Sequence, residues 1–282
     1  MSELPSDTIF KTYTSHDLPR MVLPDLAWLG GCTDPRGSTL HEFDVNKPLS
    51  EINHGHCVSY VIFGSEKTLM IDPGHFGLWY TMDNQLDQVL QGRQLDYVFV
   101  SHQEIPHTGN LGRILAKYPG CVAIGDVRDY HLFHPEVELH RLKQMKHGDT
   151  VNLGDRDFHC LGAIWKDLTG TMYGYDDKLK LLYTADNFEF SHSALPVHCG
   201  KMMHEMTDEQ ISALTDKAFA GPIYGGRYRD QEIRVKAFRN LVGKYPVEII
   251  TSGHYGPIMG KALQPAIEKT MAAIPSPRGW FF

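Results

Sequence analysis

Short apolar runs alternate with turn residues along this chain, and the pattern predicts buried strands separated by helices. Strand patterns fall at 26–30, 59–64, 68–72, 95–100, 121–125, 158–165, 170–175, 180–185 and 247–251. Helical patterns cover about 78–91, 108–118, 207–219, 230–244 and 261–273. Two runs of strands, each followed by helices, predict two sheets packed together with helices outside, which is an α/β layered fold.

The most informative segment is 102–107, which reads His-Gln-Glu-Ile-Pro-His and follows the apolar strand pattern at 95–100. The segment places two imidazoles, His102 and His107, and the carboxylate of Glu104 beside the end of a buried parallel strand. Neutral imidazole nitrogen and carboxylate oxygen together suit zinc, iron or manganese. We therefore predict a metal site at the carboxyl edge of a sheet.

Two further candidate ligands follow strand patterns in the second half of the chain. Asp186 comes directly after one strand pattern, and His254 comes shortly after another. Gly253 and Gly256 flank His254 and allow the backbone to approach whatever it binds. Binding sites in layered α/β sheets favour such strand ends, so we expect both side chains to join the site. The two oxygens of Asp186 are enough to bridge two ions.

Two other polar positions receive a structural interpretation. Asp72 ends the strand pattern at 68–72, and we interpret it as a hydrogen-bond acceptor rather than a ligand. The segment 54–56, which reads His-Gly-His, is interpreted as a turn before the next strand, and support of the metal ligands from behind is the alternative.

The composition is that of an ordinary globular protein, with 42% hydrophobic and 22% charged residues. A net charge of −7 without any Lys/Arg-rich run predicts no nucleic-acid partner. No stretch approaches the roughly 20 apolar residues that cross a bilayer, and no secretory signal pattern is visible, so we expect no membrane association. The five cysteines are widely spaced without a C-x-x-C pair, which indicates reduced thiols and predicts a cytoplasmic location.

The order of these motifs resembles the metallo-β-lactamase superfamily, and more narrowly the lactamase-like domain of flavodiiron proteins. The usual string of the superfamily is His-x-His-x-Asp-His, and the flavodiiron branch replaces the second His by Glu, as Glu104 does here. Segments 69–74, 180–188 and 249–258 resemble the motifs of the early aspartate, the bridging aspartate and the last histidine. The resemblance spans about residues 26–258. It implies a four-layer αββα sandwich, which we expect to be a single domain over residues 1–282 without a flavodoxin domain.

The resemblance also implies which residues bind metal. By family roles, His102 and Glu104 hold one ion, His107 and His254 hold a second, and Asp186 lies between them. Glu104 in place of a histidine favours iron, because an anionic oxygen ligand stabilises ferric iron. We therefore expect one or two iron ions, with zinc and manganese as alternatives.

Two ligands of the family pattern are missing from this chain. The aspartate before the last histidine of the string is Pro106 here, and the family's middle histidine falls at Ile164. Each metal ion has therefore lost one expected protein ligand. The nearest candidates to replace them are Asp167, His159, His192 and His198.

The function that the resemblance implies is that of a non-haem iron protein that binds, senses or reduces dioxygen or nitric oxide. Stand-alone oxygen-binding di-iron proteins and flavodiiron enzymes both fit this description. Of the two, we favour an oxidoreductase of the flavodiiron type. Flavodiiron proteins usually have a fused flavodoxin domain, whereas no Gly-rich loop for the phosphate of FMN is visible here. We therefore expect an external electron donor, such as a reductase or flavoprotein, and a homodimer is a further expectation.

Two alternative functions follow from the same residues. A zinc pair would activate water and predicts a hydrolase of an ester, thioester or phosphoester. A degenerate scaffold that has lost its metal predicts a protein that binds a partner without catalysis.

Overall fold

The computed structural model of the protein describes residues 12–13, 18–33, 53–166, 168–190, 192–193, 200–215 and 231–273. Within these ranges the chain forms two β-sheets. The first contains β1 Thr12–Tyr13, β2 Arg20–Leu23, β3 Leu26–Thr33, β4 Asn53–Phe63, β5 Thr68–Ile71, β6 Tyr97–Val100, β7 Val122–Gly125, β8 Leu142–Gln144 and β13 His192–Ser193. The second contains β9 Thr150–Asn152, β10 Asp157–Gly162, β11 Met172–Asp176, β12 Leu181–Tyr183, β14 Ile249–Ser252 and β15 Tyr255–Met259.

The described helices are mostly short and connect or cover the strands. They are α1 Trp79–Leu90, α2 Ile105–Thr108, α3 Leu111–Lys117, α4 Tyr130–Phe133, α5 Asp208–Thr215, α6 Gln231–Lys244 and α7 Leu263–Ala273. None of them has the length and apolar content that a bilayer span requires.

The first sheet brings the carboxyl ends of neighbouring parallel strands to one edge. Its strand order is β1-β3-β4-β5-β6-β7-β8, with β2 beside β3 and β13 beside β4. The strands from β5 to β8 run parallel, and all residues of β5 are buried. A strand that is covered on both faces is apolar throughout, which is why the run at 97–100 has no polar alternation. The loops that follow β5 and β6 therefore start side by side.

The second sheet has the strand order β15-β14-β12-β11-β10-β9. Its neighbours are antiparallel except for β12 and β14, which run parallel. The loops that follow β12 and β14 consequently leave the sheet at the same edge. These are the loops that contain Asp186 and His254.

The two sheets pack face to face, and helices cover their outer faces. Phe99 of the first sheet contacts Phe158 and Tyr183 of the second, with ring centroids 5.1 and 6.4 Å apart. A separate apolar cluster joins α1 and α3 to the first sheet, and another joins α5, α6 and α7 to the second. The predicted four-layer αββα sandwich is confirmed.

Two local differences from the predicted elements concern the site. The turn predicted for 54–56 is wrong, because β4 begins at Asn53 and pairs there with β3, placing His56 opposite Cys32. The segment 105–108 forms the helical turn α2 rather than an open loop, since the N–H of Thr108 donates to the carbonyl oxygen of Glu104 at 2.8 Å. The sequence pattern indicates neither feature. The start of β4 depends on pairing with β3, and α2 is a single turn that is too short to produce a helical pattern.

Candidate metal centre

The ends of four strands supply the polar side chains of this site. Asp72 follows β5, and His102 follows β6 after one intervening residue. His107 lies within α2, the helical turn that continues from β6. Asp186 and His254 follow β12 and β14 of the other sheet. The site therefore lies at the shared edge of the two sheets, and both sheets contribute to it.

Three imidazoles converge on the carboxylate of Asp186. The Nε2 atoms of His107 and His254 lie 2.8 and 3.3 Å from its Oδ1. The Nε2 atom of His102 lies 3.3 Å from its Oδ2 and 3.9 Å from Oε2 of Glu104. One ligand-type atom from each of His102, Glu104, His107 and Asp186 lies within 4.8 Å of the others. The structure thus brings together all five side chains that we predicted from the sequence.

A buried carboxylate behind the imidazoles fixes their orientation. Oδ2 of Asp72 accepts hydrogen bonds from Nδ1 of His107 at 2.7 Å, from the hydroxyl of Tyr183 at 2.5 Å and from Oγ of Ser101 at 2.7 Å. Its Oδ1 accepts the backbone N–H of Ser101 at 2.7 Å. Asp72 is thus an acceptor that does not face the converging Nε2 atoms, in agreement with the structural role predicted for it.

The other two imidazoles are also held through their Nδ1 atoms. Nδ1 of His102 lies 3.0 Å from Oγ of Ser101, and because that hydroxyl donates to Asp72, it accepts from the imidazole. Nδ1 of His254 donates to the carbonyl oxygen of His56 at 2.6 Å, and Nδ1 of His56 faces the carbonyl oxygen of His254 at 3.1 Å. In a neutral imidazole the proton on Nδ1 leaves a lone pair on Nε2. All three lone pairs therefore face Asp186.

This arrangement fits a metal ion. Nε2 of His107 and Oδ1 of Asp186 are fully buried, and despite their 2.8 Å separation neither atom makes a hydrogen bond of acceptable geometry. Histidines that ligate metals donate their other N–H to a carboxylate or a carbonyl oxygen, as His107 and His254 do here. A set of imidazole nitrogens and carboxylate oxygens suits iron, zinc or manganese. The donor atoms, their burial and their supporting partners are all of the kind that a metal site requires.

Protons take the place of a cation when no metal is bound. Burial lowers the pKa of His254, but the adjacent carboxylate of Asp186 outweighs burial and raises that pKa well above its ordinary value. The same balance of burial against Asp186 raises the pKa of His107. Burial acts to raise the pKa of Asp186, yet His107 and His102 hold it well below its ordinary range. A metal ion must therefore displace protons from the imidazoles.

Gly253 is required by the space around His107. A Cβ atom at Gly253 would lie 2.4 Å from Cε1 of His107 and 3.1 Å from the hydroxyl oxygen of Tyr183. The glycine before His254 therefore makes room for a histidine of the other sheet. Gly256 makes room for the ring of Trp28 instead, at 2.5 Å, and has no part in the site.

The residues at the positions of the two missing family ligands, Pro106 and Ile164, have no side-chain atom that can bind a metal ion. Pro106 is half-buried in the first turn of α2, and Ile164 packs on the apolar cluster under α5, α6 and α7. Of the replacement candidates, His159 packs its ring against Tyr175 and Tyr245, so it does not reach the site. The others lie outside the described residues: Asp167, His198 and the side chain of His192.

Tyr183 and Glu189 were not predicted from the sequence, and His56 was predicted only as the alternative to a turn. His56 and Tyr183 belong to strands and reach the site only through hydrogen bonds that join distant parts of the chain. Glu189 lies in the loop after β12, and its carboxyl group interacts with the charges of the site. No local alternation identifies it, because Phe188 has a positive φ of 62° and the segment is not a strand.

Comparisons with known proteins agree with the fold and the motif order. The model of the ODP family beta lactamase matches residues 56–216. Coenzyme F420H2 oxidase from Methanocaldococcus jannaschii is 25% identical over 148 residues, which are 50% of this chain and 35% of that protein. An anaerobic nitric oxide reductase flavorubredoxin from Aliivibrio salmonicida is 27% identical over 146 residues, which are 50% of this chain and 27% of that protein. The matched part of the chain thus spans between about a quarter and about a third of the length of these curated relatives.

A solved structure gives the same fold. The flavodiiron protein from Giardia intestinalis superposes with a TM-score of 0.67 at 14% sequence identity, over 89% of this chain and 58% of that chain. The family match includes His102, Glu104, His107 and Asp186, which lie within residues 56–216. The fold is that of the metallo-β-lactamase-like domain of flavodiiron proteins. The chain belongs to the family described as ODP family beta lactamase.

Proposed function

We propose that this site holds two iron ions and that the protein is an oxidoreductase that binds, senses or reduces dioxygen or nitric oxide. The observation that carries the proposal is the convergence of three imidazole Nε2 atoms on Asp186, at 2.8 to 3.3 Å, with Glu104 beside them. Two relatives named for oxidase and nitric oxide reductase activity support the same reaction class.

Each residue has a distinct role in this proposal. His102 and Glu104 would hold one ion, His107 and His254 would hold the other, and the two oxygens of Asp186 would bridge them. When bound, an iron pair of this kind supplies open positions for a diatomic ligand and the electrons that reduce it. The chain itself orients the imidazoles through Asp72, Ser101 and the carbonyl oxygen of His56.

The exposure of the side chains indicates the direction of access. The side chains of His102, His107 and Asp186 are 0%, 1% and 5% exposed, whereas those of Glu104 and His254 are 41% and 17% exposed. A small ligand would therefore enter beside Glu104, while the opposite side is closed by Asp72 and its donors. A site for a diatomic molecule needs ligands that are held in place on the buried side and an opening to solvent on the other side.

Electrons for a reduction must come from a donor that reaches the same face. The names of the relatives mention coenzyme F420H2 and a flavorubredoxin, so we propose a flavin-type redox donor. The exposed carboxylate of Glu104 marks the side on which such a donor would approach.

The proposal is tested by spectroscopy of iron-loaded protein. We expect anaerobically reduced protein to gain an absorption band in the visible or near-ultraviolet when air or nitric oxide is added. Asp186→Asn should abolish the change, because it removes the bridging negative charge. Asp177→Asn, which alters an exposed aspartate outside the site, should leave the change intact.

A colourless protein in both states would contradict the proposal. If the same preparation contains stoichiometric zinc and hydrolyses an ester, thioester or phosphoester, the hydrolase alternative replaces it.

A further inference from the structure

A cleft lies beside the candidate metal centre, at the same edge of the two sheets. Its volume is about 480 Å³. Met145, which follows β8 of the first sheet, lines it together with Met172, which begins β11 of the second. The N–H of Met172 donates to the carbonyl oxygen of Ser101 at 2.9 Å. Because Ser101 precedes His102, the cleft is joined directly to the segment that supplies the predicted ligands.

The inner part of the cleft is apolar and held in place. Met145 and Met172 are only 3% and 5% exposed. Beside them, the carboxylate of Asp126 accepts hydrogen bonds from Nε2 of Gln144 at 2.9 Å and from Nε of Arg128 at 2.7 Å. A concave site of several hundred Å³, with apolar walls and a few positioned polar groups, is typical of small-molecule binding.

Positive charges outnumber negative ones along the cleft, although the chain as a whole has a net charge of −7. Arg128, Lys146 and Lys166 line it, and Asp126 is the one carboxylate among the described residues that do so. Neither lysine has an acidic partner in the part of the chain that the structure describes, and Nζ of Lys166 contacts a backbone carbonyl oxygen at 3.4 Å. Such a surplus of positive charge attracts an anion.

Two further donors remain for a ligand. Nε and Nη2 of Arg128 donate to Asp126, which fixes the guanidinium and leaves its Nη1 for another acceptor. Nδ1 of His147 accepts the N–H of Gly162 at 3.0 Å. The proton of the neutral ring is therefore on Nε2, which is a second donor at this cleft.

We propose that the cleft binds a small organic phosphate monoester. Lys146, Lys166 and Arg128 would bind the phosphate, since a dianion matches their combined charge. The organic part would lie against Met145 and Met172, whose side chains adapt to apolar groups of many shapes. A diatomic molecule needs no such cleft, so this ligand would be a second one beside the metal centre. The inference goes beyond the proposed function and does not depend on which metal the centre holds.

The test is titration calorimetry of the metal-free full chain with phenyl phosphate at low ionic strength. Metal-free protein is used because phosphate would also bind to a metal ion. We expect saturable one-to-one binding of phenyl phosphate, weaker binding of inorganic phosphate and no measurable binding of phenol.

The lysines are tested by the double variant Lys146→Gln with Lys166→Gln. Its affinity for phenyl phosphate should fall at least about tenfold, because it loses two charge-assisted contacts. Lys236→Gln alters an exposed lysine of α6 and is the matched control, with an affinity within about twofold of the wild type.

Nuclear magnetic resonance of protein labelled with ¹³C at the methionine methyl groups locates the ligand. The signals of Met145 and Met172, assigned from their leucine variants, should shift when phenyl phosphate is added. The signal of Met271 in α7 should stay in place. The same spectra show whether the double variant is folded.

Several results would overturn the inference. They are no saturable binding of phenyl phosphate, equal affinity for phenol, or an unchanged affinity in the double variant. Inorganic phosphate that binds as tightly as phenyl phosphate would exclude a role for the apolar part of the cleft. A shift of Met271 without shifts of Met145 and Met172 would place the ligand elsewhere. Absence of iron from the purified protein would contradict the proposed function and leave this inference unaffected.

Discussion

Four donors reach the carboxylate of Asp72: the backbone N–H and the hydroxyl of Ser101, Nδ1 of His107 and the hydroxyl of Tyr183. The imidazole of His107 is held directly, and the imidazole of His102 is held through the hydroxyl of Ser101. A carboxylate behind a metal-ligating histidine fixes both its tautomer and its ring orientation. At the scale of single residues, the site therefore depends on a residue that would never contact the metal.

Asp72→Asn should weaken metal binding without removing any ligand. An amide has one acceptor oxygen, so in either orientation its NH2 group would face at least one of the donors that now bind the carboxylate. We expect about a 10- to 100-fold loss of metal affinity, the range typical of such supporting residues. Competition with a chromophoric chelator measures the affinity, and Asp177→Asn serves as the control. An affinity within twofold of the wild type would show that Asp72 does not orient the ligands.

Gly253→Ala should displace His107. The added Cβ would lie 2.4 Å from Cε1 of the ring, which is closer than non-bonded atoms tolerate. We expect at least about a tenfold loss in affinity for the ion that His107 binds. Gly120→Ala is the matched control, because a Cβ there meets nothing within 4 Å. Equal metal affinity in the two variants would mean that the ring of His107 is not confined as described.

At the scale of elements, the ends of the strands determine where the side chains of the site lie. The apolar runs predicted β5, β6, β12 and β14 within a few residues, so the loops containing Asp72, His102 and Asp186 were also found. The sequence could not predict that β4 extends back to Asn53, because the pairing that makes His56 part of a strand comes from β3. Nor could it predict the bond between His56 and His254, which are separated by 198 positions.

The last residue of β11, Asp176, is a buried carboxylate that should make stability depend on pH. Burial raises the pKa of Asp176 from 3.8 to about 6, although the side chain accepts the N–H of Leu179 at 2.8 Å. Its second oxygen, Oδ2, is buried without a hydrogen-bond partner. A carboxyl group with a raised pKa in the folded state stabilises the fold at low pH, and this stabilisation is lost as the pH rises through about 6.

Asp176→Asn should remove this dependence. Between pH 4 and pH 8 the wild type should lose on the order of 2 kcal/mol of its free energy of unfolding, and the variant should not lose it. Both proteins are compared in the metal-free state. Urea unfolding at both pH values measures the change, with the exposed neighbour variant Asp177→Asn as control. A difference between variant and wild type that is the same at both pH values would exclude Asp176 as the titrating group.

At the scale of the whole molecule, the candidate metal centre joins the two sheets. His102 and His107 follow a strand of the first sheet, whereas Asp186 and His254 follow strands of the second. The family resemblance identified all five predicted ligands, because their motifs are local in the sequence. It could not identify Tyr183 or His56, which reach the site through hydrogen bonds between distant parts of the chain.

Metal binding should release protons. Because Asp186 raises the pKa of His107 and His254 above their ordinary values in the absence of metal, both rings are more protonated than free imidazole near neutral pH. A metal ion displaces these protons, so the apparent affinity should fall as the pH is lowered from 8 to 6. Titration calorimetry in buffers of different ionisation enthalpy counts the protons. Binding with no net proton release at pH 7 would contradict this electrostatic picture.

The most direct test of the central claim is the metal content of protein purified from iron-supplied cells. If the imidazoles, Glu104 and Asp186 bind metal as proposed, the protein should contain close to two irons per chain, with zinc present only in traces. Elemental analysis by mass spectrometry on protein of known concentration gives both numbers in one measurement. Negligible iron together with stoichiometric zinc would contradict the assignment of this site to iron chemistry.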